Sequence, residues 1–560
     1  MYGQAEDTPR WGLERQVPGV WQAEHMDYGA IVIGAGHNGL VCAAYLAKAG
    51  IATLVVEARQ HVGGCAATET VMGGARVNIC NCDHAMVRTM PIAEELRLDR
   101  FGLRYLDAEP SYLNVQHGSS PGWFLFNDVD RTLASVGHSY PGEVANYRRY
   151  LKAALPVARM VIDIAQNMPT PGHVARTLLR QNVSAAKAVP TLLSWSKRSV
   201  GDVARSFFAA EQLRGPLITT GPSVWGVSPE TPNTGLGALG FAFRHSVQVG
   251  RPEGGSGALP DAILGAFVDA GGTVRNGCRV ERILVEGSAV RGVALTTGEI
   301  VEAPIVVAAG NPRAALVDWL QNPPAAAHAL IDRYRATHPH DGYEAKVDAV
   351  VDGRYRVPAV SDAAQRALGL TDNEVISPSM IVSKSLADLA IDHAAKGAGR
   401  IAHRPQMLVQ LPSVLDPSVA SALAPGDEVF SLEVLWTPYA LEGGWKDSHE
   451  PERWLRRVSE LVEMADGRPF HEHVKSWRLM GPLDYERELS MTRGHAPSFS
   501  GTPITALLGR DREQTRYETP IAGLFLTGAA TFPGAGIWGA PGRNAATAVL
   551  GTKPKKKRTV

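Results

Sequence analysis

Residues 28 to 64 constrain this chain more than any other stretch, because they contain every part of a dinucleotide-binding βαβ unit in the right order. An apolar strand, Ala30-Ile31-Val32-Ile33, runs into Gly34-Ala35-Gly36-His37-Asn38-Gly39. A helix is expected from Leu40 to Lys48, Gly50 closes it, and a second apolar strand, Leu54 to Val56, ends on Glu57. Gly34 permits a tight turn, Gly36 lets the backbone approach a pyrophosphate, and Gly39 lets helix and strand pack closely. The helix N-terminus then offers free N–H groups and a positive dipole end to the phosphates. Glu57 lies roughly 20 residues on, where a carboxylate accepts ribose hydroxyls.

The run Gly235-Leu236-Gly237-Ala238-Leu239-Gly240 matches the same glycine spacing but follows Pro229, Pro232 and Asn233 with no strand before it. Without strand-turn-helix context it reads as a glycine-rich loop or a tight helix contact. One dinucleotide site is supported, and a separate nicotinamide site is not.

Two further stretches bear on the identity of the dinucleotide. Ala58-Arg59-Gln60-His61-Val62-Gly63-Gly64-Cys65-Ala66 follows Glu57, and Gly523-Leu524-Phe525-Leu526-Thr527-Gly528-Ala529-Ala530 leads through Gly534, Gly536, Ile537, Trp538 and Gly539 to Ala540, Arg543 and Asn544. Together they resemble the phytoene desaturase-like branch of the flavin amine oxidase superfamily, which includes bacterial carotenoid desaturases, FAD-type β-carotene ketolases and retinol saturase. The resemblance runs from about residue 27 to 550 and is strongest at the two ends. His84 through Arg88 to Glu94-Glu95-Leu96, and Gly102-Leu103-Arg104-Tyr105, look particularly like the ketolases.

The resemblance implies an α/β fold: a Rossmann-type FAD-binding domain of the flavin amine oxidase/glutathione reductase kind, interleaved with an α+β substrate domain. The FAD-binding domain would comprise residues 27–110, 245–315 and 511–552, and the substrate domain 111–244 and 316–510. Residues 1–26 read as a flexible extension and 553–560 as a basic tail. The helix opened by Gly254-Gly255-Ser256-Gly257-Ala258-Leu259 would return the chain to the FAD domain, where the backbone at Val280 would meet the adenine. The same resemblance implies contacts to FAD from Gly34, Gly36, His37, Asn38, Gly39, Glu57, Ala58, Gly63, Gly64, Cys65, Ala66, Val280, Gly310, Gly528, Ala529, Gly536, Ile537, Trp538 and Ala540. Many relatives carry a basic residue where this chain has Cys65, so a side-chain cation on the pyrophosphate is not expected from that position. Noncovalent attachment is expected, since the C-terminal segment holds no cysteine.

The chain is long enough, at 560 residues, for two or three domains. Lys plus Arg and Asp plus Glu balance at 56 each, which argues against a global field for nucleic acid. Five cysteines, unevenly placed, form neither a disulfide framework nor a metal-ligand spacing and fit a reducing, cytoplasmic setting. Cys80-Asn81-Cys82 reads more simply as small packing residues than as a metal or redox site. No metal is expected. Residues 1–27 lack the apolar core of a signal peptide, and no run of roughly 18 apolar residues exists to span a bilayer. The tail Lys553-Pro554-Lys555-Lys556-Lys557-Arg558 reads as solvated, with a targeting signal or an anionic-surface tether as the alternatives.

Residues 171–205 set Arg176, Arg180, Lys187, Lys197, Arg198 and Arg205 against Asp202 alone, interleaved with Leu178, Leu179, Leu192, Leu193 and Trp195. Two readings stand: a peripheral membrane contact beside the entry of a lipophilic substrate, or a helical lid whose apolar face packs inward.

The chemistry expected is hydride abstraction from carbon by the flavin, with oxygen or a quinone as electron acceptor. Trp538, inside the closing glycine loop, is either a wall over the substrate or a packing residue. His84 is either a general acid/base or a satisfied structural histidine. Three functional readings follow: a dehydrogenase or desaturase of a largely apolar, isoprenoid-like substrate; an oxygen-using ketolase-like oxygenase or amine oxidase; and a prenyl-binding escort without flavin. Intact glycines at both ends weigh against the escort.

Overall fold

The computed structural model describes residues 27–551, apart from residues 81, 119, 182, 338–340 and 343. The N-terminal extension and the basic tail lie outside the described residues.

The alternation of apolar runs and glycine turns at the start of the chain builds β1 (Ala30–Ile33), α1 (His37–Lys48) and β2 (Thr53–Val56). The helix begins three residues earlier than the sequence suggests, because Gly36 itself is the N-cap. β1 and β2 are buried on both faces, as strands covered by helices on each side must be. They sit inside a parallel five-stranded sheet of order Leu524–Leu526, Val306–Ala308, β1, β2, Thr273–Arg275. Three distant chain segments therefore supply one sheet. The fold is an α/β Rossmann type with a second, mixed layer.

A three-stranded meander, Val280–Glu286, Ala289–Leu295 and Ile300–Glu302, follows the segment 273–275, with its turns at Gly287 and Gly298 as the sequence suggests. A hairpin of β3 (Thr68–Val71) and β4 (Ala75–Asn78) leaves the first βαβ unit and reaches toward the second layer. That layer is a seven-stranded sheet of order 474–480, 344–352, 427–435, 407–410, 379–383, 112–116, 123–125, antiparallel except where Ser379–Ser383 runs parallel to Tyr112–Gln116.

The two faces of this sheet differ sharply. Ala345, Val347, Ala349, Phe430, Leu432 and Val434 pack into one apolar core with helices outside it. The opposite face carries Glu344, Lys346 and Asp348, all buried, although such alternation ordinarily marks a solvated face. Lys346 Nζ donates to the Asn78 carbonyl at 2.6 Å and pairs with Asp348, while Arg478 bridges Asp348 and Glu69. The hairpin thus covers the charged face.

The helical region behind this sheet includes Val144–Ala165, Pro171–Gln181 and Val183–Trp195. Trp195 stacks on Tyr150 with ring centroids 6.3 Å apart and is buried, so it is no interfacial anchor. Leu179 stays 74% exposed beside Arg176 and Arg180. The Gly235–Gly240 run forms a tight 3₁₀ turn in which a Cβ on Gly235 would stand 2.4 Å from the Trp195 carbonyl, the close helix contact expected for it. No helix among the described residues is long and apolar enough to cross a membrane, and no His/Cys/Asp/Glu cluster there could hold a metal.

Candidate functional site

The first glycines take up the geometry their spacing implies. Gly34 turns the chain at φ +100°, and its N–H donates to the Val56 carbonyl at 2.8 Å. A Cβ on Gly39 would lie 2.1 Å from the Gly34 oxygen, so no side chain fits there. At Gly36 a Cβ would meet no protein atom within 4 Å. That open side is where a ligand backbone can approach. No side chain caps α1, so its first-turn N–H groups remain available to an anion.

Gly63 N–H donates to the Ala35 carbonyl at 2.8 Å, and a Cβ on Gly64 would touch Gly36 Cα at 3.3 Å, which brings the two glycine turns into contact. Glu57 holds this assembly: one carboxylate oxygen accepts the Ala35 N–H at 2.7 Å and the other the Arg59 N–H at 2.9 Å. The sequence points to a ribose contact for Glu57, and this fastening of the glycine turn is an additional role it does not reveal. The turn before Val280 donates from Gly277 and Cys278 to the carbonyls of Arg59 and Glu57, both at 2.8 Å, so Val280 sits close behind that acid. Ala58 is half-buried beside it, and Ala66 closes the Gly63 turn through its own N–H.

The C-terminal segment arrives at the same edge. Thr527 N–H donates to the Ala308 carbonyl at 2.9 Å, and a Cβ on Gly528 would lie 3.8 Å from the Gly310 oxygen. Gly310 itself faces open space. Phe499 N–H donates to the Ala529 carbonyl at 3.0 Å. Gly536 and Gly539 both take positive φ, and the closing helix starts at Ala540 and runs to Gly551. Gly542 in its first turn touches the Asn38 carbonyl, which sets the two helix N-termini side by side. Arg543 of the closing helix grips Glu95 with two nitrogens at 2.8 and 2.7 Å, and Glu95 also accepts from Tyr45 of α1.

Three buried polar atoms at this edge lack a protein partner: His37 Nε2, Asn38 Oδ1 and Thr527 Oγ1. Leaving such groups unsatisfied is costly unless a ligand or water meets them. The His37 ring donates to the Gly536 carbonyl, so its remaining nitrogen is an acceptor, and burial pushes its pKa down to about 4. This edge is the carboxyl end of the parallel strands, where open α/β sheets hold ligands.

His84 lies between two hydroxyls. It is fully buried, Nδ1 meets Tyr105 Oη at 3.0 Å, Nε2 meets Ser256 Oγ at 2.7 Å, and burial pushes its pKa down to about 3. Both nitrogens are engaged, so the ring fixes the Cys82–Ala85 loop instead of offering a lone pair to a ligand. Trp538 turns away from open space. Its indole is 7% exposed in a core shared with Val41, Val87 and Ile92, and its N–H donates to the Ala535 carbonyl at 3.1 Å. Ile537 is half-buried against the same core.

The charged face of the large sheet is the feature sequence reading missed. Glu433 lies across from Lys346 on the neighbouring strand, and burial with the nearby Glu344 raises its pKa to about 8. Arg251 pairs with Asp83 at 2.8 Å, both buried, and Asp83 also accepts from Ser379. The signal available was the spacing Glu344-Lys346-Asp348, which reads as a solvated strand face until the hairpin is seen to cover it.

A profile for the NAD(P)-binding Rossmann-like domain matches residues 32–94. The rat pyridine nucleotide-disulfide oxidoreductase domain-containing protein 2 is 26% identical over 94% of this chain and 93% of its own length. A limonene dehydrogenase polypeptide of Castellaniella defragrans is 26% identical over 93% of this chain and 94% of its own. Phytoene desaturase (lycopene-forming) of Pseudescherichia vulneris is 25% identical over 93% and 98%. These relatives are similar to this chain over nearly its whole length, phytoene desaturase and limonene dehydrogenase among them. The fold also matches that of putrescine oxidase bound to putrescine, at TM-score 0.58 and 16% identity over 94% of this chain and 99% of the other. Full-length similarity at both levels fits the three-segment sheet.

Proposed function

We propose that the chain is an FAD-dependent oxidoreductase that removes hydride from a carbon of a small, lipophilic substrate and introduces unsaturation. The observation that carries it is the convergence of two helix N-termini, open glycines at 36 and 310, and three unpartnered buried polar atoms on one sheet edge. These features fit FAD. Bound FAD would accept the hydride and pass electrons on to oxygen or a quinone. The α1 N-terminus with Gly36, Gly63 and Gly64 would hold the pyrophosphate, and Glu57 with the backbone at Val280 the adenosine. His37 Nε2 would accept a hydroxyl proton, and the closing helix at Ala540 would present N–H groups to growing negative charge. We assign residues 27–110, 245–315 and 511–552 to the FAD-binding domain and 111–244 with 316–510 to the substrate domain. This division is supported by the three segments that share the parallel sheet. Exposed Leu179 and Leu193 near Arg176, Arg180 and Lys187 support a peripheral membrane contact for substrate uptake.

A second reading has one observation in its favour. The buried carboxyls of Glu344 and Glu433 beside Lys346 suit a substrate with a polar or cationic end, as an oxygen-using amine oxidase would require. Anaerobic mixing of the FAD-loaded protein with terpene or carotenoid hydrocarbons, and separately with aliphatic amines, tests both. Flavin bleaching by a hydrocarbon supports the first reading, and bleaching only by an amine replaces it with the second. A protein that binds no FAD removes both.

A further inference from the structure

The strand Asp427–Leu435 of the large sheet runs straight into a strained residue. Trp436 takes φ +60°, a left-handed conformation that is costly for a bulky side chain and persists only where its surroundings impose it. Its indole N–H donates to the Ser223 carbonyl at 3.1 Å, and its ring meets that of His393 edge-on with centroids 5.3 Å apart. One residue earlier, Leu435 N–H donates to the Gln406 carbonyl at 3.1 Å. The hydroxyl of Thr219, the last residue of the helix Glu211–Thr219, donates to Gln406 Oε1 at 2.6 Å. These bonds set Gln406 and Ser223 against the Leu435–Trp436 pair, and Thr437 follows directly. All three are buried, and each carries a polar atom that makes no hydrogen bond among the described residues: Gln406 Nε2, Ser223 Oγ and Thr437 Oγ1. A single such atom is costly, and three flanking one tryptophan call for a shared partner. The surroundings are apolar, since Leu435 and Trp436 lie in one core with Leu213 and Leu217. The turn that carries Ser223 also reaches toward the candidate flavin edge. His495 Nε2 donates to the Trp225 carbonyl at 3.3 Å, and Phe499, four residues on, donates to Ala529.

We propose that Gln406, Ser223 and Thr437 form a polar subsite that holds a hydroxyl or carbonyl oxygen of the lipophilic substrate, away from its reacting carbon, and so selects an oxygenated molecule over the bare hydrocarbon. The inference rests on the hydride-transfer reading for the rest of the substrate. Gln406 sets the sense of recognition: Thr219 already occupies its Oε1, so its amide nitrogen offers donors, and an acceptor oxygen must meet them. The two hydroxyls each donate or accept, which suits either a hydroxyl or a carbonyl. None of the three carries a charge, which suits a neutral oxygen function better than a carboxylate or an ammonium. A hydrocarbon would leave all three unpaired, and a site built to bond an oxygen discriminates against the analogue that lacks it in just this way.

The test measures equilibrium binding of matched pairs to the FAD-loaded, full-length protein: geraniol with myrcene, and farnesol with farnesene, each an alcohol and a hydrocarbon of one carbon skeleton delivered from cyclodextrin. In the pair whose skeleton fits, the alcohol should bind about tenfold tighter or more. Ser223→Ala combined with Thr437→Val should cut that advantage to about threefold while leaving the hydrocarbon affinity unchanged. The two hydroxyls bond nothing in the ligand-free protein, so the double variant should melt no lower than wild type. Equal binding of alcohol and hydrocarbon by wild-type protein, or binding of none of the four, overturns the proposal without reliance on any variant. A double variant that melts lower, with no alcohol preference in wild type, means that water satisfies these atoms and overturns it equally. An alcohol preference undiminished in the double variant overturns the assignment to these residues. Binding is read without turnover: alcohol preference in a protein whose flavin no compound bleaches keeps the subsite and removes hydride transfer, and bleaching by hydrocarbon without alcohol preference does the reverse.

Discussion

A Cβ on Gly542 would stand 2.1 Å from the Asn38 carbonyl oxygen, so the first turns of α1 and the closing helix touch backbone to backbone. Residues some five hundred positions apart in the chain are locked by the absence of one methyl group. Gly542→Ala should force the helices apart and cost about 1–3 kcal/mol, as overpacking in a close-packed interior does. Urea unfolding of the flavin-free protein measures this, and an unchanged midpoint would show that the contact is soft.

Gly36 and Gly39 make a sharper pair, because only one of them packs against protein. Gly36 has φ −66° and ψ 163°, which any residue adopts, and a Cβ there meets open space. Gly36→Val should therefore leave the melting temperature of the flavin-free protein nearly unchanged while abolishing FAD binding. Gly39→Ala should lower both, since its Cβ would collide with the Gly34 oxygen. If Gly36→Val takes up FAD normally in a fluorescence titration, the pyrophosphate does not cross this turn.

Glu57→Gln separates the ligand from the scaffold. Its two carboxylate oxygens each accept a backbone N–H, whereas an amide offers a single acceptor oxygen. One of the N–H groups of Ala35 and Arg59 then loses its partner, at a cost of about 1–3 kcal/mol. The variant should melt lower even without FAD and should bind FAD more weakly. A drop in affinity with no drop in flavin-free stability would leave Glu57 as a ribose ligand only.

How much of this was legible follows from the range of the interactions. The Gly34–Gly39 turn, both strands beside it and Glu57 are fixed by contacts within one βαβ unit, and a linear pattern records them. The Gly542–Asn38 contact was not legible, since its partners lie some five hundred residues apart. The buried row of Glu344, Lys346 and Asp348 was not legible, since its cover comes from Asn78 on a hairpin some 270 residues away. Likewise the basic stretch 171–205 looks amphipathic either way, and only the stacking of Trp195 on Tyr150 fixes that side chain inward.

His84 and His37 give the protein an acid sensitivity with a definite sign. Burial lowers their pKa values from 6.5 to about 3 and about 4. The unfolded chain takes up these protons below about pH 6.5 and the folded one does not, so their contribution is complete at neutral pH and lost as pH falls. Each should add a slope of about 1.4 kcal/mol per pH unit below pH 6. Denaturant midpoints of the flavin-free protein between pH 7 and 5 should fall accordingly, and less so in His84→Gln. Parallel curves for wild type and variant would mean that His84 titrates normally.

Trp538 is where packing and catalysis make opposite forecasts. The indole is 7% exposed, packs in one core with Val41 and Ile92, and bonds the Ala535 carbonyl of its own loop. Truncation to alanine in such a setting removes large apolar contact and leaves a cavity, at about 3–5 kcal/mol. Trp538→Ala should therefore unfold at markedly lower urea even without flavin or substrate, and Trp538→Phe should recover much of the loss. A wall over the substrate behaves otherwise: it can be truncated with little effect on folding, and the change appears in anaerobic flavin reduction by substrate. Stability close to wild type in Trp538→Ala, with slowed reduction, would return the residue to the substrate site and require the Gly534–Gly539 loop to rearrange when the flavin binds.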